Sequence, residues 1–107
     1  MLTLPIKKKW YDMILSGDKK EEYREIKPYY TSRFKNLMKR GSAWTPVRTV
    51  RFRNGYSKNS PTLVASVTIS EGYGLERWGA KQGKRYYILK IRNVIREGAD
   101  DEVLRQL

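Results

Sequence analysis

The sequence contains neither cysteine nor histidine. Without cysteine there are no disulfides, thiol nucleophiles or thiolate metal sites, which suits a reducing compartment. The two absences together exclude Ser-His and Cys-His nucleophilic pairs, zinc sites built on imidazole or thiolate, and the usual acid-base side chain tuned near neutrality. Any chemistry must use Lys, Arg, Asp, Glu, Tyr, Ser, Thr or the backbone. Long apolar runs are also missing: nothing approaches the roughly 20 residues of a membrane span. The start, Met1-Leu2-Thr3-Leu4-Pro5-Ile6-Lys7-Lys8-Lys9, puts its charges after a short apolar stretch, the reverse of a secretion signal. The expectation is a cytoplasmic protein with no membrane partner. No spacing of carboxylates argues for a metal, and no cofactor is expected.

Acidic residues are scarce. Eleven Asp and Glu stand against 23 Lys and Arg, a net charge of +12, which makes a polyanion the natural partner because each neutralised phosphate releases condensed counterions. Solubility alone, an acidic protein or a membrane surface are the other uses of such an excess. The 107 residues suit one domain spanning 1–107, with three Trp and eight Tyr to help build its core.

Within 9–16, Trp10, Met13 and Ile14 fall at helical spacing with Tyr11 and Leu15 on an adjoining stripe, and Gly17 stands where a left-handed stop belongs. Lys20 to Ile26 alternates as a strand would, with Glu22 and Arg24 on one face and Tyr23 on the other. Pro28 then opens a second helix whose apolar set is Tyr30, Phe34, Leu37 and Met38, closed by Lys39-Arg40-Gly41. Residues 53 to 61 carry turn chemistry. Strands are expected over Arg48 to Arg53, over Thr62 to Ser70 with Leu63, Ala65, Val67 and Ile69 on one face, and over Arg85 to Arg96, each with one side in the core and one side wet. The tail from Ala99 to Leu107 is expected to form a short helix packing Val103, Leu104 and Leu107. The fold class is α+β, a small curled or closed β-barrel carrying two short helices from the N-terminal half.

The densest charge lies in Gly17-Asp18-Lys19-Lys20-Glu21-Glu22-Tyr23-Arg24, where a helix hands over to a strand. Such a run serves as a solvated face, with surface pairs each worth no more than about 1 kcal/mol. It also serves as a site. Glu22 and Arg24 would project from one face of the strand, with Lys19 reaching over from the turn. Arg24 would hold an anion by its planar fork and Lys19 as a point charge, while Glu22 orients Arg24 or accepts a proton.

Gly17-x-Lys19-x-x-Glu22-x-Arg24 resembles the GxKxxExR signature of the ASCH family, which is related to the PUA domains that bind RNA. The short helix before it, Tyr-Arg-Glu-Ile-Lys-Pro-Tyr-Tyr within and after it, and the late Tyr87-Ile88-Leu89-Lys90-Ile91 look like the small bacterial and phage members. The resemblance implies a PUA-like β-barrel with helices at its openings, and a cleft beside the signature that takes RNA or a nucleotide. The matched positions are Gly17, Lys19, Glu22 and Arg24. Some relatives hydrolyse acetylated cytidine with the motif lysine essential, but with threonine where this chain has Glu22. Others are ribonucleases or parts of transcriptional coactivators, so fold does not settle function.

Further basic and aromatic residues could extend the site by tracking phosphates and stacking bases. Tyr29, Tyr30 and Arg33 follow the strand, although Tyr30 also opens the helical core stripe. Arg48, Arg51 and Arg53 would form a basic strand face, and Lys81, Lys84 and Arg85 flank a glycine-rich turn. Trp44 and Trp78 would stack bases or plug barrel ends, and Glu71, expected just past a strand end, would be a turn carboxylate or a second acid-base group opposite Lys19. The expected ligand-binding set is Gly17, Lys19, Glu22, Arg24, Tyr29, Arg33 and Arg51. The leading function is binding of RNA or a nucleotide-like anion. The alternatives are a small hydrolase of a modified nucleoside or of RNA, with Lys19 as base or nucleophile and Glu22 or Glu71 as proton carrier, and a protein-interaction adaptor using the Asp100-Asp101-Glu102 cluster and the short apolar tail.

Overall fold

The structure, a computed structural model, describes residues 1–97. The expected tail helix and the acidic cluster at 100–102 lie outside the described residues. In chain order the elements are β1 (Leu2–Ile6), α1 (Lys8–Ser16), β2 (Glu21–Glu25), α2 (Pro28–Arg40), β3 (Arg48–Asn54), β4 (Thr62–Tyr73), a single 3-10 turn (Glu76–Trp78) and β5 (Arg85–Arg96). No helix among the described residues is long and apolar enough to cross a membrane.

Both helices follow their sequence signals. Helix α1 stops at Gly17, whose φ of 88° places it in the left-handed region that a side chain would strain. Helix α2 begins with Pro28 at its first turn, where a missing N–H costs nothing. Tyr11 and Ile14 from α1 and Phe34 from α2 are buried with Val50, Phe52, Leu63 and Leu89 of the sheet. Each large apolar side chain so buried contributes about 1.5–3 kcal/mol.

The five strands form one mixed sheet in the order β1-β3-β4-β5-β2. Strand β1 runs parallel to β3 with Leu4 beside Phe52, and the other pairs are antiparallel. Strands β1 and β2 are thus at opposite edges, yet Arg24 Nη2 on β2 donates to the Pro5 carbonyl on β1 at 2.9 Å. One side chain spans the gap because the sheet is curled into a half-barrel, leaving a seam between its edges. Pro5 is tolerated in β1 because an edge strand has one side without ladder bonds.

The expectation of one wet face holds for β3 and β4 but not for the first half of β5. There Tyr87 and Leu89 face the core, while Tyr86 and Ile88 on the other face are also buried. The chain after β4 folds over that face: Leu75 N donates to Tyr23 OH at 2.9 Å, and Lys81 N to Tyr86 OH at 2.9 Å. Further along, the pairing of β4 with β5 shifts between Ser66 and Val67, leaving Arg92 as an extra residue on β5. This bulge switches which side of β5 meets the core, so that Ile91 and Val94 both pack against it.

Arg48, expected on a basic face with Arg51 and Arg53, is instead buried beside the C-terminus of α2. Its guanidinium donates to the carbonyls of Leu37, Met38, Ser42, Thr45 and Val47 at 2.6–3.2 Å. Alternation puts positions 48, 50 and 52 of β3 on one side and 51 and 53 on the other, and helix-end carbonyls need donors.

Candidate functional site

Glu22 and Arg24 share a face of β2, as the alternation predicts, and the pairing fixes which face. Glu22 lies opposite Leu89 and Arg24 opposite Tyr87, both core-facing residues of β5. Two charged residues therefore occupy core-side positions on an edge strand, a breach of binary patterning of the kind that marks functional sites. Glu22 is 5% exposed and Lys19 only 1%.

The three charges form one connected cluster. Glu22 Oε2 accepts from Arg24 Nη2 at 2.6 Å and from Arg24 Nε at 3.1 Å, and Glu22 Oε1 lies 3.5 Å from Lys19 Nζ. Lys19 also donates to the Trp78 carbonyl and sits over the rings of Trp10 at 4.6 Å and Tyr23 at 5.0 Å. Arg24 Nη1 donates to Tyr30 OH at 3.3 Å. Four of the five guanidinium N–H groups are thereby engaged, and the fifth has no hydrogen-bond partner among the described residues. Two cations share one carboxylate, so the cluster carries one surplus positive charge.

Burial costs each ion several kcal/mol, and Glu22 compensates both cations. Desolvation holds the Lys19 ammonium below the usual lysine range, with the Glu22 carboxylate opposing the shift. For Arg24, burial also acts to weaken protonation, but Glu22 and Tyr30 outweigh it and the guanidinium is held still more firmly charged. Burial pushes the Tyr23 phenol up to about 12, assisted by its hydrogen bond to Glu21 and opposed by the one from Leu75 N.

A cavity of about 560 Å³ opens at the seam with Glu22 and Arg24 in its wall. Basic residues dominate its charge: Lys7, Lys8, Arg24, Lys27, Lys81 and Lys84 stand against Glu22 and Glu25. Its aromatic surface comes from Trp10, Tyr23, Tyr30, Tyr56, Trp78 and Tyr86. Gly79 is required at one wall: its φ is +102°, and a Cβ there would lie 3.0 Å from the Trp10 ring.

The structure thus brings together Lys19, Glu22 and Arg24 after the Gly17 turn, with Lys81 and Lys84 at the same cavity. Lys19 lies behind the lining and acts on the cavity through Glu22. Trp78 is buried, its indole donating to the Asp18 carbonyl at 2.9 Å, and it lines the cavity; Trp44 is 97% exposed and does not. Four expected ligand residues stand apart. Gly17 is the stop of α1 and does not line the cavity. Tyr29 lines a neighbouring cavity, Arg33 packs its guanidinium on the Tyr29 ring at 3.4 Å, and Arg51 pairs with Glu97 at 2.6 and 3.1 Å. Glu71, expected just past a strand end as a turn carboxylate or as an acid-base group opposite Lys19, lies instead within β4, paired in register with Tyr87 and exposed. Strand pairing with β5 carries β4 on to Tyr73. Arg85 is likewise outside the cavity, over the Tyr73 ring at 5.6 Å.

Lys7, Lys8, Trp10, Lys27, Tyr56 and Tyr86 join the cavity although no sequence pattern assigns them to it. Trp10 reads as part of the helical apolar stripe, and Tyr56 as a turn residue. The lysines read only as part of the general basic excess. Among the described residues, no cluster of three or more potential Asp or Glu metal ligands is present. No family model matches this chain, and no curated protein or solved structure matches it.

Proposed function

We propose that the seam cavity binds RNA or a nucleotide-like anion, holding phosphate on its basic wall and a base against its aromatic residues. The surplus buried charge of the Lys19-Glu22-Arg24 cluster carries this reading, because an anion at the open guanidinium N–H would neutralise it. Mixed basic and aromatic lining is the composition that single-stranded nucleic acid uses. The signature at Gly17, Lys19, Glu22 and Arg24 resembles that of the ASCH family, which is related to the PUA domains that bind RNA, and the curled half-barrel is compatible with the PUA-like barrel this resemblance implies.

The test is RNA binding measured across a salt series. Log affinity should fall linearly with log salt, and Lys81→Ala with Lys84→Ala should weaken binding and reduce the slope by about 0.7 for each phosphate no longer neutralised. These two lysines are outside the buried cluster, so the double variant separates binding from folding. Binding that is absent for every RNA tried, or indifferent to salt, overturns the proposal.

A second reading, hydrolysis of acetylated cytidine or of RNA, draws on one observation: Lys19 is held below its usual range 3.5 Å from a carboxylate, which suits a proton acceptor. Glu22 in place of the hydrolases' threonine and the position of Lys19 behind the cavity wall weigh against it. Product from wild type but not from folded Lys19→Met, detected by mass spectrometry, would select hydrolysis over binding alone.

A further inference from the structure

Beside the seam cavity lies a second one of about 520 Å³, bounded in part by Leu4, Pro28 and Tyr29. The two cavities share Pro5, Lys27, Tyr30 and Tyr56. They differ in chemistry. The seam cavity holds Arg24 and most of the cations, whereas the second is bounded by three tyrosines, two prolines and a leucine with Lys27 as its one charge among the described residues. Lys27, at the boundary, lies 5.5 Å from the Tyr30 ring centroid.

We propose that the second cavity is the seat of the next nucleotide, so that the ligand is a single strand of at least two consecutive nucleotides and not a mononucleotide. This rests on the anion-binding reading of the seam cavity. In a nucleic acid strand, phosphates alternate with bases, and a charged cavity joined to a tyrosine-lined one through a lysine repeats that alternation. Lys27 neutralises the phosphate between the two nucleotides, and Tyr29 offers the stacking surface for the second base. Tyr29 is 52% exposed and yet its ring is held: it meets Tyr30 edge-on at 5.0 Å, and Arg33 both packs on it at 3.4 Å and donates to the Tyr29 carbonyl at 3.0 Å. An exposed ring fixed in this way loses little freedom when a base stacks on it. Arg33 and Tyr29, apart from the seam cluster, thus belong to one ligand track with it. A duplex does not fit this arrangement, because its bases are already stacked on each other.

Calorimetric titration of the whole protein with AMP, the dinucleotide pApA and the trinucleotide pApApA tests the proposal. Binding of pApA about tenfold or more tighter than AMP, with no comparable gain for pApApA, is the expected result, as stacking of one further base gives. Tyr29→Ala should reduce the ratio of pApA to AMP affinity several-fold, and Tyr29→Phe, which keeps the ring, should preserve it. If AMP binds and pApA binds no tighter, or if the ratio survives Tyr29→Ala, the second seat is wrong while the seam cavity stands. If none of the three binds, the seam reading itself fails. Tighter binding to duplex than to single-stranded RNA of the same sequence would also overturn the proposal.

Discussion

Arg24 and Arg48 are both withdrawn from solvent, and their surroundings differ in one decisive respect. Among the described residues Arg48 hydrogen-bonds only to carbonyls, closes the end of α2, and borders neither cavity. Arg24 meets a carboxylate, a tyrosine hydroxyl and a carbonyl of the opposite sheet edge, and it keeps one N–H toward no described partner. Charge alone does not identify a site. What separates the two is whether donors and acceptors match: at α2 all five N–H groups meet carbonyls, whereas at the seam one guanidinium N–H is left without a described partner beside an open cavity.

The largest effect that could break this comparison comes from Glu22→Gln. Removing the carboxylate leaves Lys19 and Arg24 without an ion-pair partner among the described residues, and stability should fall by about 3–5 kcal/mol in denaturant titration. A loss below about 1 kcal/mol, the range of exposed pairs, would mean that the cluster is hydrated and electrostatically slack. Arg48→Met should cost less, about 1–3 kcal/mol, through carbonyls left without donors. RNA affinity of the folded Arg48→Met protein should match wild type. If affinity falls with it, the division between a structural and a functional arginine fails.

The smallest effect is a pH dependence at the seam. Above pH 10 the unfolded chain releases the Tyr23 proton, while the folded chain keeps it until about pH 12. The unfolded state then binds fewer protons, so this phenol makes stability fall as pH rises through that window. Lys19, with its lowered folded value, acts in the opposite direction below its ordinary 10.5, and it does so equally in wild type and Tyr23→Phe. Thermal unfolding of the two proteins from pH 9 to 12 should show a steeper alkaline decline in wild type. Equal slopes would place the phenol in water.

Much of the secondary structure was readable because its signals are local. Gly17 stops α1, Pro28 starts α2, and alternation in β2 puts Glu22 and Arg24 together. Strand β1 was not readable: five residues interrupted by Pro5 gain strand character only through parallel pairing with β3, far away in sequence. The β5 bulge was equally hidden, since strict alternation assigns Ile91 and Val94 to opposite faces. The site was legible as a charged string but not as a cavity. Trp10, Tyr56 and Tyr86 come from three distant segments, and no spacing rule connects them.

The sequence by itself determined the excess of positive charge, the exclusion of thiol and imidazole chemistry, the helix boundaries, and the face shared by Glu22 and Arg24. These follow from composition and from the periods of 3.6 and 2 built into the backbone. Only the tertiary structure decided that this face points inward, that Arg24 spans the two sheet edges, and that Arg48 faces carbonyls instead of solvent. Burial and charge compensation depend on which segments meet in space, and it is the curl of the sheet that brings them together.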